Sequence, residues 1–121
     1  MSNVDQQLDG VQLSIDEAKE KIERSKALRR LEKNKDFQFL FLNGLMEKDA
    51  IRQVMLLASP GLKAPGDGPT VARAGIQARM EMIGELYNWC RLTHLEGENA
   101  RGALEEHEQT RQELLAEQLE E

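Results

Sequence analysis

Three side chains in the C-terminal half have the types and spacing to do chemistry. Cys90, His94 and Glu98 follow one another at steps of four, which on a helix places a thiol, an imidazole and a carboxylate along one face. These groups bind zinc, but a structural zinc site normally draws four cysteine or histidine ligands, and this chain has one cysteine and, besides His94, only His107. As a nucleophile Cys90 would need a base and an oxyanion hole, and in mid-helix the neighbouring amides are already committed to the helix. The triplet therefore reads as a half-buried cysteine near a surface histidine. No catalytic residue, metal ligand or cofactor site is assigned. The glycine-rich stretch 59–69, SPGLKAPGDGP, is not a phosphate cradle either, since no Gly-Lys-Ser/Thr follows and Lys63 stands at the wrong offset.

A second chemistry is electrostatic. From Lys19 to Lys35 eight bases (Lys19, Lys21, Arg24, Lys26, Arg29, Arg30, Lys33, Lys35) stand against Glu20, Glu23 and Glu32, a local charge of +5, within a chain of net charge −6. From Glu96 to Glu121 nine acids oppose Arg101 and Arg111, a local −7. Arg24, Arg29, Arg30, Lys33 and Lys35 could meet phosphates, but the interleaved acids weaken that face, and MEKDAIRQVMLLA is too apolar to be the basic second helix of a helix-turn-helix. Attraction between the opposite-sign segments, within a chain or between subunits, is the favoured reading over nucleic-acid binding. Met46, Met55, Met80 and Met82 fall at helical spacing and read as core rather than as an adaptable partner groove.

These groups must be positioned by helices. With 121 residues, 31% charged and 4% aromatic, the composition suits one domain of exposed helices. No apolar run is long enough to span a membrane, MSNVDQQLDG lacks the regions of a signal peptide, and the lone Cys90 permits no internal disulfide, which fits a cytosol. Residues 1–13 hold few apolar anchors and read as a flexible N-terminal arm. Ser14 and Glu17 form a capping box that starts helix one at Ile15, with Ile15, Ala18, Ile22, Leu28 and Leu31 inward and Asn34 at its end. Asp36 caps a short second helix, Asn43-Gly44 stops it, and a third runs from Met46 to Ala58. Helices two and three close a hairpin through Phe37, Phe41, Leu45 and Ile51, and Val54 and Trp89 complete the core. After the linker 59–69, Thr70 caps a long last helix. Its track Ile83, Leu86, Cys90, Thr93, Gly97, Ala100, Leu104, His107, Arg111, Leu114 is heptad-like but too polar for a strong coiled coil, and Gly97 and Gly102 predict a bend or break. The expected fold is all-α: a small helical hairpin plus a long, partly coiled-coil-like C-terminal helix. Its divisions are an arm (1–13), a helical domain (14–96) and an acidic helical extension (97–121). The expected contact residues are Arg24, Arg29, Arg30 and Lys33 on the basic helix and Leu104, Leu114 and Leu115 on the acidic one.

The segment ALRRLEKNKDFQFLFLNGLMEKDAIRQVMLLASP resembles one found in small proteins of tailed bacteriophages. There a basic L-x-x-L-E-K-N-x-D-F run leads into G-x-x-x-x-E/K-x-A-x-R-x-V-x-L-L-A-x-P, and a long helix with a Gly-Glu step and a Glu-rich tail follows. The matching residues are Leu31, Glu32, Lys33, Asn34, Asp36, Phe37, Gly44, Ala50, Arg52, Val54, Leu56, Leu57, Ala58 and Pro60, then Gly97-Glu98 and the acidic end. The resemblance covers most of the chain from about Ala27 onward and implies a head-associated structural protein. Such a protein is not an enzyme; it works in the virion or host cytoplasm as a homo-oligomer or with other virion proteins, and not at a membrane. The alternative is a small adaptor or regulator that binds nucleic acid or a host protein through the basic helix.

Overall fold

The computed structural model describes residues 3–59 and 67–120. The all-α expectation holds: the described residues form α1 (Asn3–Glu32), α2 (Lys35–Phe37), a π-helical segment (Gln38–Asp49), α3 (Ala50–Leu57) and α4 (Asp67–Glu120), with no strand among them. Two compact units are built from these elements, one from residues up to Arg29 together with Leu92 onward, the other from Arg30–Arg91.

The first unit is an antiparallel helix pair. On α1 the positions Val4, Leu8, Val11, Ile15, Ala18, Ile22 and Ser25 alternate steps of four and three, and all are buried or half-buried, which is the seam of a two-stranded coiled coil. On α4 the matching stripe is Thr93, Gly97, Ala100, Leu104, His107 and Leu114, again buried or half-buried. Cross-contacts give the direction: Gln118 Nε2 donates to Asp5 Oδ1 at 2.7 Å, Ser25 Oγ and His94 Nδ1 share a hydrogen bond of 3.4 Å, and Arg29 meets Glu98 at 3.7 Å. The heptad-like track of the C-terminal helix is thus a packing stripe from Thr93 to Leu114 except at Arg111, and Leu86 on the track is exposed; its weak apolar content is offset by small residues that let the backbones approach.

The helices approach closely at Gly97, where a Cβ would collide with Ser25 Cβ and lie 2.7 Å from its Oγ. Gly97 and Gly102 both lie inside α4 and neither breaks it; Gly97 marks close packing, whereas Gly102 faces open space. The same economy of side chain leaves a crevice of about 260 Å³ walled by Ala18, Ala100 and Ala103.

Two expectations for this unit need correction. Residues 3–13 are the first three turns of α1, with Val4 only 5% exposed, because Val4, Leu8 and Val11 continue the seam that starts the packing of Ile15. Ser14 caps nothing; its hydroxyl donates to the Gly10 carbonyl one turn back, at 3.2 Å. The antiparallel register also decides where charge goes. It sets Asp5, Asp9, Asp16 and Glu17 alongside the Glu-rich end of α4, so the acidic tail lies beside other acids, and the basic run meets the start of that segment, where Arg29 pairs with Glu98 and Lys21 shares a crevice with Glu96.

In the second unit α1 ends where expected, with Asn34 N–H bonding the Leu31 carbonyl at 3.0 Å. Asn34, not Asp36, then caps the next helix: its Oδ1 accepts from Phe37 N–H at 3.0 Å. Gln38 ties the corner by donating from Nε2 to the Glu32 carbonyl at 2.7 Å. From Lys35 to Leu57 the helical path is unbroken, and Asn43-Gly44 is no stop. Gly44 instead permits the wider π turn, since a Cβ there would sit 2.8 Å from the Phe39 carbonyl oxygen five residues back. Phe37 stacks on Phe41 with centroids 5.2 Å apart, a contact along one helix rather than across a hairpin. Of the linker 59–69, residues 60–66 lie outside the described residues. Asp67 already opens α4, so Thr70 is not its first residue.

Replacing Gly97 by alanine forces Ser25 and α1 outward, and overpacking of this kind costs about 1–3 kcal/mol, more than the gain in helix propensity of roughly 1 kcal/mol. Thermal unfolding followed by circular dichroism should show Gly97→Ala melting below the native chain and Ser25→Gly restoring much of the loss when combined with it. Independent, additive losses would show that the two residues do not share this contact.

Candidate functional site

Helix α3 is inside out. Its apolar residues Ile51, Val54 and Met55 are 54%, 54% and 69% exposed, while its one buried residue is the polar Gln53, at 6%. The inward edge runs through Met46, Ala50, Gln53 and Leu57; Met46, Ala50 and Leu57 lie on the expected face, but Ile51, Val54 and Ala58, expected beside them, are exposed. Phe41 at 44% and Trp89 at 58% are exposed as well, so the expected core of Phe37, Phe41, Leu45, Ile51, Val54 and Trp89 is largely surface. Apolar side chains turned outward in such number mark an interaction surface.

The outward side of α3 is grooved. Ile51, Met55 and Leu56 form its floor, with Lys48, Arg52 and Ser59 around them, enclosing about 420 Å³ of open space. Arg52 is held by Asp49 at 3.6 Å. On the inward side, Gln53 Oε1 is fully buried without a hydrogen-bond partner, beside a crevice lined by Leu45, Asp49, Arg52, Arg79, Met82 and Ile83. An orphan acceptor of this kind costs stability. Gln53 was not singled out from sequence; it is a polar residue at a core position of its stripe, and only a correct helical phase for that stripe would have revealed it. Ser25 falls in step with the stripe of Ile15, Ala18, Ile22 and Leu28, and it is buried there.

No family model, curated protein or solved structure matches this chain.

The residues expected to contact partners fall into two sets. Arg24 pairs with Glu20 at 3.2 Å and Arg29 with Glu98 at 3.7 Å, while Arg30 and Lys33 are exposed on the last turn of α1 and just beyond it. Leu104 and Leu114 are half-buried on the stripe of α4 that forms the helix pair, whereas Leu115 is 39% and Leu119 88% exposed. Of the Cys90, His94, Glu98 triplet, His94 is bonded to Ser25 and Glu98 to Arg29. No group of three or more His, Cys, Asp or Glu side chains among the described residues could hold a metal ion. Burial, and then the nearby Glu32 carboxylate, push the Cys90 thiol up from its ordinary value.

Two outcomes follow. Gln53→Met removes the orphan acceptor at similar volume and should stabilise the chain by about 1 kcal/mol, read as a raised urea midpoint; a lowered midpoint would mean that Gln53 is satisfied in solution. Cys90 should react with iodoacetamide near pH 7.5 more slowly than free cysteine, because less of it is thiolate, and Glu32→Gln should speed the reaction. Reaction at the rate of free cysteine would contradict the raised thiol.

Proposed function

We propose that this chain is a non-enzymatic structural or assembly protein of a tailed-phage particle, acting through helix-mediated contacts with its own copies or with other virion proteins, in the virion or the host cytoplasm. The observation that carries this reading is the inverted α3, which buries Gln53 and presents Ile51, Val54 and Met55. The resemblance of residues 27–60 to phage head-associated proteins supplies the setting. No helix among the described residues is long and apolar enough to cross a membrane.

A second reading is a small adaptor or regulator that binds nucleic acid or a host protein. It rests on Arg30, Lys33 and Lys35, exposed cations around the corner where α1 ends. A salt-dependent mobility shift abolished by Arg29→Glu, Arg30→Glu and Lys33→Glu together would favour it.

Mass spectrometry of purified particles tests the first reading: peptides of the chain should be found in mature or immature heads. Absence from both would overturn it.

A further inference from the structure

The stretch from Phe37 to Leu57 holds two possible inward stripes, and the structure uses one of them. The stripe in use runs Phe37, Leu42, Met46, Ala50, Gln53 and Leu57, and its first steps, of five, four and four, follow the wide turns of the π-helical segment. An α-helical winding from the same Phe37 would instead turn inward Phe37, Phe41, Gly44, Lys48, Ile51 and Met55, at alternating steps of four and three. Its large apolar members Phe41, Ile51 and Met55 are 44%, 54% and 69% exposed in the structure. Each winding carries a polar residue at its centre. The one in use buries Gln53 with Oε1 unpartnered, and the other would bring in Lys48, whose long stem can lead its ammonium back out to water.

We propose that residues 38–57 exchange between two windings: the π-wound state of this structure, which displays Ile51 and Met55, and an α-wound state in which α3 has turned about its axis, so that Ile51 and Met55 face inward and Gln53 faces out. The start of the segment is held, by Asn34 Oδ1 on Phe37 N–H and by Gln38 Nε2 on the Glu32 carbonyl, so a change of winding is expressed at α3. Register shifts of this kind connect two packings of one sequence that lie close in free energy. Gly44 decides between them. A Cβ there would sit 2.8 Å from the Phe39 carbonyl oxygen in the π winding, whereas an ordinary α turn favours alanine over glycine. The exchange goes beyond the assembly reading and holds whatever α3 meets; it shows or hides the apolar face without unfolding the helix.

Thiol labelling of the full-length chain in a Cys90→Ser background tests this, with Met55→Cys and Gln53→Cys as separate reporters. In the π-wound state the thiol at position 55 should react rapidly with iodoacetamide and the thiol at 53 slowly. Adding Gly44→Ala should slow the first and speed the second, each about tenfold or more, with helicity by circular dichroism unchanged. Lys48→Met, which removes the charge from the α stripe and leaves Gly44 in place, should move both rates the same way; the opposite movement at 53 and 55 separates rotation of α3 from the mere loss of a cation beside a thiol. A Gly44→Ala chain that keeps its helicity and both original rates would overturn the proposal. So would one that loses helicity while Lys48→Met leaves both rates unchanged, because the chain would then have no second winding to adopt.

Discussion

The distance between two helix backbones at Ser25 and Gly97 governs the antiparallel pair. With a hydroxymethyl on one side and hydrogen on the other, α1 and α4 approach until a single added carbon would not fit. Close approach gives many weak dispersion contacts, but small side chains bury little apolar area, so this unit holds by fit more than by hydrophobic mass. The pairing also fixes direction, and direction brings the acids of the first turns of α1 against those of the last turns of α4. Repulsion between exposed charges is screened over about 10 Å at 0.1 M salt. Gln118 relieves one point of it by giving Asp5 a neutral donor at 2.7 Å.

The second unit solves the opposite problem. It has more large apolar residues than it buries, and the surplus lies outward on Ile51, Val54, Met55, Phe39 and Leu40. Exposed faces of this size are costly for a chain on its own and are made stable by association. The two units therefore differ in where their apolar residues go: the helix pair turns its seam inward, and the α3 region leaves much of its apolar surface outward.

The all-α class was legible in the sequence, as were the end of α1 near Asn34 and the stripe from Cys90 to Leu114, because periodicity of apolar and small residues carries that information directly. The N-terminal turns were missed because Val4, Leu8 and Val11 are sparse among polar residues and stabilise nothing until a partner helix lies against them. Asn43-Gly44 misled for a related reason. A glycine after asparagine fits a left-handed helix stop, and the same glycine is required when the chain winds wider and a Cβ would strike a carbonyl. The face of α3 was misjudged at Ile51 and Val54 because their hydropathy and their spacing with Ala50 and Leu57 suit a buried stripe as well as an outward one.

The π-helical segment matters to α3 beyond its rarity. An α-helix advances about 100° per residue. A ladder bonded one residue further back advances less, roughly 80°, so twelve residues from Gln38 to Asp49 accumulate a lag on the order of 200°. The segment works as a phase shifter inserted ahead of α3. Wound as an ordinary helix, the same sequence would present a different side of α3 to the outside. Which residues face solvent is thus encoded upstream of the residues themselves, in a stretch of winding that Gly44 makes available.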